Sequence, residues 1–566
     1  MIWSIRKFLR SSRYNNKDID PDEIFLDSKN LPAFDTHQFE GRIERPIFKG
    51  GIIFLGIFFL IVGVGFLSKI WGLQITKGEF YSTRSENNRL RNTVIFSERG
   101  VIYDRNNKEL AWNERGEGGD FSSRKYAQIS GVAHIVGYAK YPSKDSLGFY
   151  YREDFEGVEG IEKAYNETLK GKNGVRIIEI NALGKVQSQS VLRPPQDGSS
   201  VVLSIDSGLE KKLYDTMEGL TKSYGFDGGA VTVMDIHSGE LIASASYPEF
   251  SSQVLAEGAD GTKIKEYINN KNKPFLNRVL HGAYTPGSVV KPFMAIGVLN
   301  EKIIDPLKKI LSTGSISVPN PYDSTKFSIF KDWKALGWVD LREAIANSSD
   351  VYFYTVGGGF GNQKGIGITN IDRYAELFGF GEKTNIILPG EINRPIPSPE
   401  WKAKNFKGDV WRLGDTYNTV IGQYGWQLTP IQMVRGTAAI ANYGTLLTPK
   451  IILGEGQKPG NTRTIDIQKA YFDIVHEGMR MTVTEGTAPG LNLKNVAIAA
   501  KTGTAQVGVS KSHVNSWVIG FFPYDNPKYA FAAMMERGPA DNDVGAVSVI
   551  HQMFNWMTEN APEYLQ

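Results

Sequence analysis

The sequence predicts an α+β fold, an antiparallel sheet packed against helices, on three observations. Strand-like runs lie at 228–236 and 240–246, separated by a His-Ser-Gly turn. Three more lie far along the chain, at 495–507, 514–523 and 529–536. The stretch between the two groups reads as mostly helical, so the sheet has to join chain ends that are distant in sequence. No internal repeat of about 20–50 residues points to a solenoid or propeller instead.

A chain of 566 residues is too long for one compact core, so several domains are expected. Hydrophobic residues at 41% and charged residues at 22%, with 60 Gly and 25 Pro, describe a globular, turn-rich protein and exclude disorder for most of it. The net charge is +3, from 64 basic against 61 acidic residues, and no nucleic-acid motif is present, so nucleic acid is not expected as a partner. The absence of Cys removes disulfides, iron–sulfur clusters and thiolate catalysis. Seven scattered His show no metal-ligand spacing, and no metal or cofactor is expected.

Residues 50–68, GGIIFLGIFFLIVGVGFLS, carry no charge between Lys49 and Lys69, and Trp71 follows. As a helix they are long enough to cross a bilayer's hydrocarbon core, so one transmembrane span is expected. A buried core helix would show a polar face, which is lacking here. A cleaved signal peptide would begin at the N-terminus and end in small residues, whereas SKIWGLQ follows. Arg42, Arg45 and Lys49 before the span nearly balance Lys69, Lys77 and Arg84 after it. The tail of residues 1–49 adds Arg6, Lys7, Arg10 and Arg13, and a long C-terminal body crosses largely regardless of its charge. The tail is therefore expected in the cytoplasm, and the body on the outer side of the cytoplasmic (inner) membrane.

Residues 69–200 mix polar loops with short strand-like runs and end in VQSQSVLRPPQDGSS, rich in Gln, Ser and Pro. That composition marks a boundary near 200, with a second domain over 201–566. At its far end Ala546, Ile550, Met553, Phe554 and Met557 are spaced for one helix face.

Three motifs carry the candidate chemistry. Ser288-Val289-Val290-Lys291 follows Tyr284-Thr285-Pro286-Gly287, a turn and then a helix start that tolerates Pro292. Ser and Lys at i and i+3 share a helix face, where a neutral amine could take the serine proton. The pattern alone is weak, since Ser4–Lys7 and Ser122–Lys125 also fit it and a capping Ser beside a solvated Lys is the commoner meaning. Lys501-Thr502-Gly503-Thr504 sits in an apolar strand-like run, where Gly503 admits a ligand to the backbone and two hydroxyls could bind a carboxylate. An edge strand is its natural place; without context the wet face of a strand with a Gly bulge is the commoner meaning. Ser348-Ser349-Asp350 precedes an aromatic run and by itself reads as a helix cap.

In this order, Ser-x-x-Lys, Ser-x-Asp and Lys-Thr-Gly, the motifs resemble those of the penicillin-binding protein and serine β-lactamase superfamily. The separations, 60 residues from Ser288 to Ser348 and 153 from Ser348 to Lys501, suit a transpeptidase domain. The resemblance continues in Asn277-Arg278, Pro389-Gly390-Glu391, Ile421-Gly422-Gln423 and Thr429-Pro430-x-Gln432. Arg99–Arg105 with Leu110-Ala111, and Gly157–Glu162, look like the pedestal, or dimerisation, domain of class B penicillin-binding proteins. Ser-x-Asp in place of Ser-x-Asn resembles the branch that serves cell elongation and shape more than the division enzymes. A tail of 49 residues is long for the class, and adjacent Ser348 and Ser349 leave the register of the second motif open, with the resemblance favouring Ser348. Class A members add a glycosyltransferase domain; Glu153-Asp154-Phe155 copies part of its motif in a segment too short to hold one.

The resemblance implies a D,D-transpeptidase of peptidoglycan synthesis, possessing a serine acyl-enzyme and acting on D-Ala-D-Ala stem peptides, with β-lactams as covalent inhibitors. Ser288 would be the nucleophile and Lys291 the base, provided that burial and the cation of Lys501 lower its pKa from about 10.4. Ser348 would relay the proton to the leaving amine, and Lys501, Thr502 and Thr504 would hold the substrate carboxylate, with Gly503 between them. Asp350 would order the hydrogen-bond network, and the N–H groups of Ser288 and Thr504 would form an oxyanion hole. The implied partners are the membrane, stem-peptide donors and acceptors, and a polytopic glycan polymerase. A division-type enzyme, a β-lactamase and a membrane-bound β-lactam sensor or scaffold share parts of this pattern. A β-lactamase is usually soluble and lacks a pedestal, and a sensor usually has several spans.

Overall fold

A computed structural model describes residues 48–566 apart from 117–118, 147–148, 181–185, 321–322, 457–461 and 509–510. Almost all of the expected tail, with Ser4, Arg6, Lys7, Arg10, Arg13, Arg42 and Arg45, lies outside the described residues. The contacts divide the chain into two units at Arg89 and Leu90.

In the first unit, helix α1 (Lys49–Trp71) buries none of its residues. A wider helical turn, Gly72–Thr76, and a polar helix, Gly78–Arg89, follow it. Lys49–Thr76 is the one described stretch long and apolar enough to cross a membrane. Apolar side chains exposed all round, among them Phe54, Phe58, Leu60 and Phe66, suit a lipid surrounding and not water.

The second unit opens with two small sheets. Leu90–Ile95, Gly174–Ile180 and Val186–Arg193 form an antiparallel three-stranded sheet. Ile102–Tyr103 lies between Glu109–Glu114 and Val201–Val202, the latter pairing in parallel just where the sequence marks a boundary. Glu153-Asp154-Phe155 is structural here: Asp154 accepts a hydrogen bond from Asn173 at 2.9 Å, and Phe155 packs edge-on against Phe121 and Tyr141.

Beyond residue 203 the chain enters the main core through α2 (Ser207–Tyr224), whose N-cap Asp206 accepts from Gly208 and Leu209 N–H. Strands β1 (Gly228–Asp235) and β2 (Leu241–Tyr247) form the expected hairpin, its turn held by Asp235 accepting His237 and Ser238 N–H at 2.8 Å. Strands β3 (Ala499–Val507), β4 (His513–Phe522) and β5 (Tyr529–Pro539) complete an antiparallel sheet ordered β2-β1-β5-β4-β3. The distant strands thus meet, with β3 at an edge.

Both faces of this sheet are covered, which is why its strands read as near-continuous apolar runs and not as alternation. On one face Val231, Val233, Ala533 and Met535 pack with Leu213 and Met217 of α2. The same layer takes Ile550, Met553, Phe554 and Met557 from the C-terminal helix Ala546–Asn560, the predicted face. The other face, with Ala230, Met234, Ala532 and Trp517, meets the helical middle. There lie α3 (Lys291–Asn300), α4 (Asp350–Gly358), α5 (Pro430–Ala441) and α6 (Lys469–Thr484).

Candidate active site

The Ser288 segment is clamped from two sides. Residues Gly287–Val290 make one 3-10 turn before α3, and Pro292 sits in the first helical turn, where its missing N–H leaves no partner unsatisfied. Tyr284 and Leu428 exchange backbone hydrogen bonds at 2.9 Å, and Gly287 N–H donates to Gly422 O at 3.0 Å. A Cβ on Gly422 would lie 2.1 Å from Gly287 O, so any other residue there would push the loop off the Ser288 segment. From the other side β3 presses in: a Cβ on Gly503 would meet Pro286 O at 2.8 Å. Trp517, paired with Gly503 across the sheet, donates from Nε1 to Thr285 O at 3.0 Å. Ser288 itself is half-buried, and its hydroxyl makes no hydrogen bond among the described residues.

Lys291 is fully buried one helical turn on, with all three donors engaged. Its Nζ donates to Asp350 Oδ1 at 2.6 Å, to Ser348 O at 2.7 Å and to Ser348 Oγ at 3.3 Å. The ring of Phe353 lies beneath it at 5.4 Å. The two serines therefore face different ways. Ser349 caps α4, accepting Tyr352 N–H at 3.2 Å, and Ser348 turns both of its oxygens to the lysine. It does so in a left-handed backbone, φ 57°, that a non-glycine residue rarely adopts.

Lys501 is fully buried on β3 and donates to Thr502 O at 2.8 Å. Among the described residues no carboxylate comes within ion-pair distance of it. Burial, and then the cation of Lys291, push its pKa well below the ordinary lysine range, with Asp350 opposing. Asp350 moves the other way. Burial raises its pKa against the pull of Lys291 and Lys501, and Asp332 adds to the rise. Thr502 Oγ1 hydrogen-bonds Thr487 Oγ1 at 2.6 Å, and Thr504 is exposed. Because β3 is an edge strand, the N–H groups on its free side have no ladder partner and are available to a ligand.

The structure thus brings Ser288, Lys291, Ser348, Asp350, Lys501, Thr502, Gly503 and Thr504 close together. Sequence reasoning did not single out Asp332, which holds Ser349, or Thr487, which orients Thr502. Neither stands in a recognisable motif, and no local pattern links them to residues 17 and 15 positions away. The competing Ser122 and Lys125 are spent elsewhere: Ser122 Oγ donates to Glu98 at 2.5 Å, and Lys125 faces Glu257 at 3.8 Å. Among the described residues no three acidic or His side chains cluster as a metal site.

The family model described as the penicillin binding protein transpeptidase domain matches residues 229–553, and that of the penicillin-binding protein dimerisation domain matches 120–203. The chain is 28% identical to peptidoglycan D,D-transpeptidase MrdA of Haemophilus influenzae, over 94% of this chain and 95% of the relative. It resembles the penicillin-binding protein PBP2 solved in complex with MreC from Helicobacter pylori, with a TM-score of 0.69 and 26% identity over 83% of this chain and 99% of that one. A component of a peptidoglycan synthase complex solved for the coordination of polymerization and crosslinking matches with a TM-score of 0.69 and 25% identity, over 91% of this chain and 100% of that one.

Proposed function

Since this chain belongs to the penicillin-binding protein transpeptidase family, we propose that it is the peptidoglycan D,D-transpeptidase of cell elongation. It is a membrane-anchored serine enzyme and a covalent target of β-lactams. The observation that carries the chemistry is Lys501, a buried cation with no carboxylate partner among the described residues, on the edge strand that presses against the Ser288 turn. A substrate that ends in a carboxylate supplies the missing charge, and the two threonines add hydrogen bonds to it.

The reaction follows from the pairings around Lys291. Lys291 sits one turn from Ser288, held by Asp350 and by both oxygens of Ser348, and in its neutral form it is the base of the reaction. Ser288 Oγ attacks the carbonyl between the terminal D-alanines while Lys291 takes its proton, and an ester forms. Ser348 passes its hydroxyl proton to the departing D-alanine amine and regains one from Lys291, which carries the proton taken from Ser288. An amine of a neighbouring stem peptide then attacks the ester, releasing Ser288 and completing the crosslink. Backbone N–H groups of Ser288 and Thr504 hold the oxyanion in both steps.

Residues 1–49 are a cytoplasmic tail, 50–68 the span, 69–200 the pedestal and 201–566 the transpeptidase domain, which lies outside the cytoplasmic membrane. The pedestal match and the relative seen in a synthase complex support a glycan polymerase as the partner that supplies strands.

The test is crosslinking of glycan strands bearing pentapeptide stems by the detergent-solubilised chain. One D-alanine should be released per crosslink, penicillin should stop the reaction, and Ser288→Ala should abolish it. Rapid penicillin turnover without crosslinking would instead identify a β-lactamase.

A further inference from the structure

Several elements that hold Ser348 converge on one carboxylate outside the three motifs. Asp332 follows the hairpin strand Asp323–Lys331, and its own N–H donates to Gly314 O at 2.8 Å. Its Oδ2 accepts from Ser349 Oγ at 2.9 Å, Val351 N–H at 3.0 Å and Ser312 Oγ at 3.2 Å. Its Oδ1 accepts Trp333 N–H at 2.9 Å, and Trp333 Nε1 reaches on to Asn347 O at 3.0 Å. One side chain thereby ties the hairpin to both flanks of Ser348 and to the first turn of α4.

Ser348 lies in the middle of this clamp with φ 57°, a backbone state that persists in a serine only where the surroundings hold it. Released to an ordinary conformation, it could not keep both its carbonyl and its hydroxyl on Lys291. We infer that Asp332 is a positioning residue for acylation, fixing the Ser348–Ser349 turn against Lys291 and setting a negative charge behind Asp350. This inference rests on the catalytic reading of Ser288, Lys291 and Ser348 above. Three charges face Asp350: Lys291 from α3, Lys501 from β3, and Asp332 from the end of the hairpin. The first two favour its ionised form, and Asp332 opposes them. An uncharged cap at 332 would satisfy the helix but not this electrostatic role.

The experiment measures fluorescent-penicillin acylation of the full chain in detergent across pH, for the parent, Asp332→Asn and Ser312→Ala, with a thermal melt of each. Asparagine keeps the shape and one oxygen but loses the charge, whereas Ser312→Ala loses the hydroxyl's hydrogen bonds with Asp332 and Ser349 and keeps the charge. Asp332→Asn should acylate about ten- to a hundredfold more slowly even at saturating penicillin. Its acidic limb should move to lower pH, because Asp350 then sheds its proton more readily. Ser312→Ala should keep the parent rate and profile. Asp332→Asn with the parent rate and an unmoved limb overturns the inference, as does a loss fully accounted for by its unfolded fraction. A parent that takes no label at Ser288 overturns the catalytic reading and this inference together, whereas a labelled parent beside an unaltered Asp332→Asn overturns the inference alone.

Discussion

Two regions of this molecule bury a carboxylate near two cations, and they use it in opposite ways. In the pedestal, Glu162 accepts Arg99 Nε at 2.5 Å and Arg124 Nε at 2.8 Å, all three side chains being wholly inaccessible. In the candidate active site, Asp350 meets Lys291 at 2.6 Å and feels Lys501, and its side chain remains 21% exposed. Burial tends to raise both carboxyls. Arg124 and Arg99 outweigh it and hold Glu162 below the ordinary range, whereas Lys291 and Lys501 do not, and Asp350 ends above. Guanidinium stays charged at any relevant pH and fixes a geometry, while an ammonium can give its proton away. The pedestal cluster is therefore a structural pin, whereas the other sets a raised carboxyl against ammonium groups, which unlike guanidinium can exchange protons.

Exchanging the cation type should break this contrast most sharply. Lys291→Arg should slow penicillin acylation by about two to four orders of magnitude, the usual scale for losing a positioned base. Arg124→Lys should leave the acylation rate of the folded protein unchanged. A time course with both variants checks the pair, and similar rates would remove the distinction. Next in size is Glu162→Gln, which leaves two buried guanidiniums without their counter-charge and should cost about 3–5 kcal/mol of stability in a thermal or denaturant melt. The fraction that remains folded should still acylate normally.

Smaller effects come from titration. Because Lys501 is pushed down, it loses its proton below the ordinary lysine range. Acylation by a penicillin carboxylate should therefore fall on an alkaline limb below about pH 10.4. Lys501→Arg should shift that limb upward or remove it, as measured by the pH profile of the acylation rate. The smallest effect concerns a third carboxyl, Glu249, which accepts Gly131 and Ala133 N–H at 2.7 and 2.9 Å. Burial pushes it from the ordinary 4.5 up to about 7. Between those values the folded chain holds the proton that the unfolded chain has released. Its stabilising contribution is then fully present below pH 4.5 and lost as pH rises through 7. Melting temperatures across that window should fall with pH in the parent and less steeply in Glu249→Gln.

Much of the fold was legible because its signals are local. The β1–β2 hairpin, the three late strands and the C-terminal helix face follow from runs and spacings that a chain shows without its partners. Beyond the edge place expected for the Lys501 strand, sheet order was not legible, since both faces are covered and no alternation marks which strand is central. At the cleft, the order of three motifs sufficed to gather the residues. The register of Ser348 against Ser349 required the backbone, because only the left-handed φ turns the first serine to Lys291 and frees the second to cap α4. Asp332 and Thr487 were hidden for a related reason: each acts through side-chain contacts with residues far along the chain.

The most direct test of the central claim is a denaturing gel of the solubilised chain after fluorescent penicillin, comparing the parent with Ser288→Ala and Ser122→Ala. Persistent label on the parent and on Ser122→Ala, and none on Ser288→Ala, is the result predicted by a cleft built around Ser288 and Lys291. Label that survives Ser288→Ala, or is lost with Ser122→Ala in a folded protein, would contradict it.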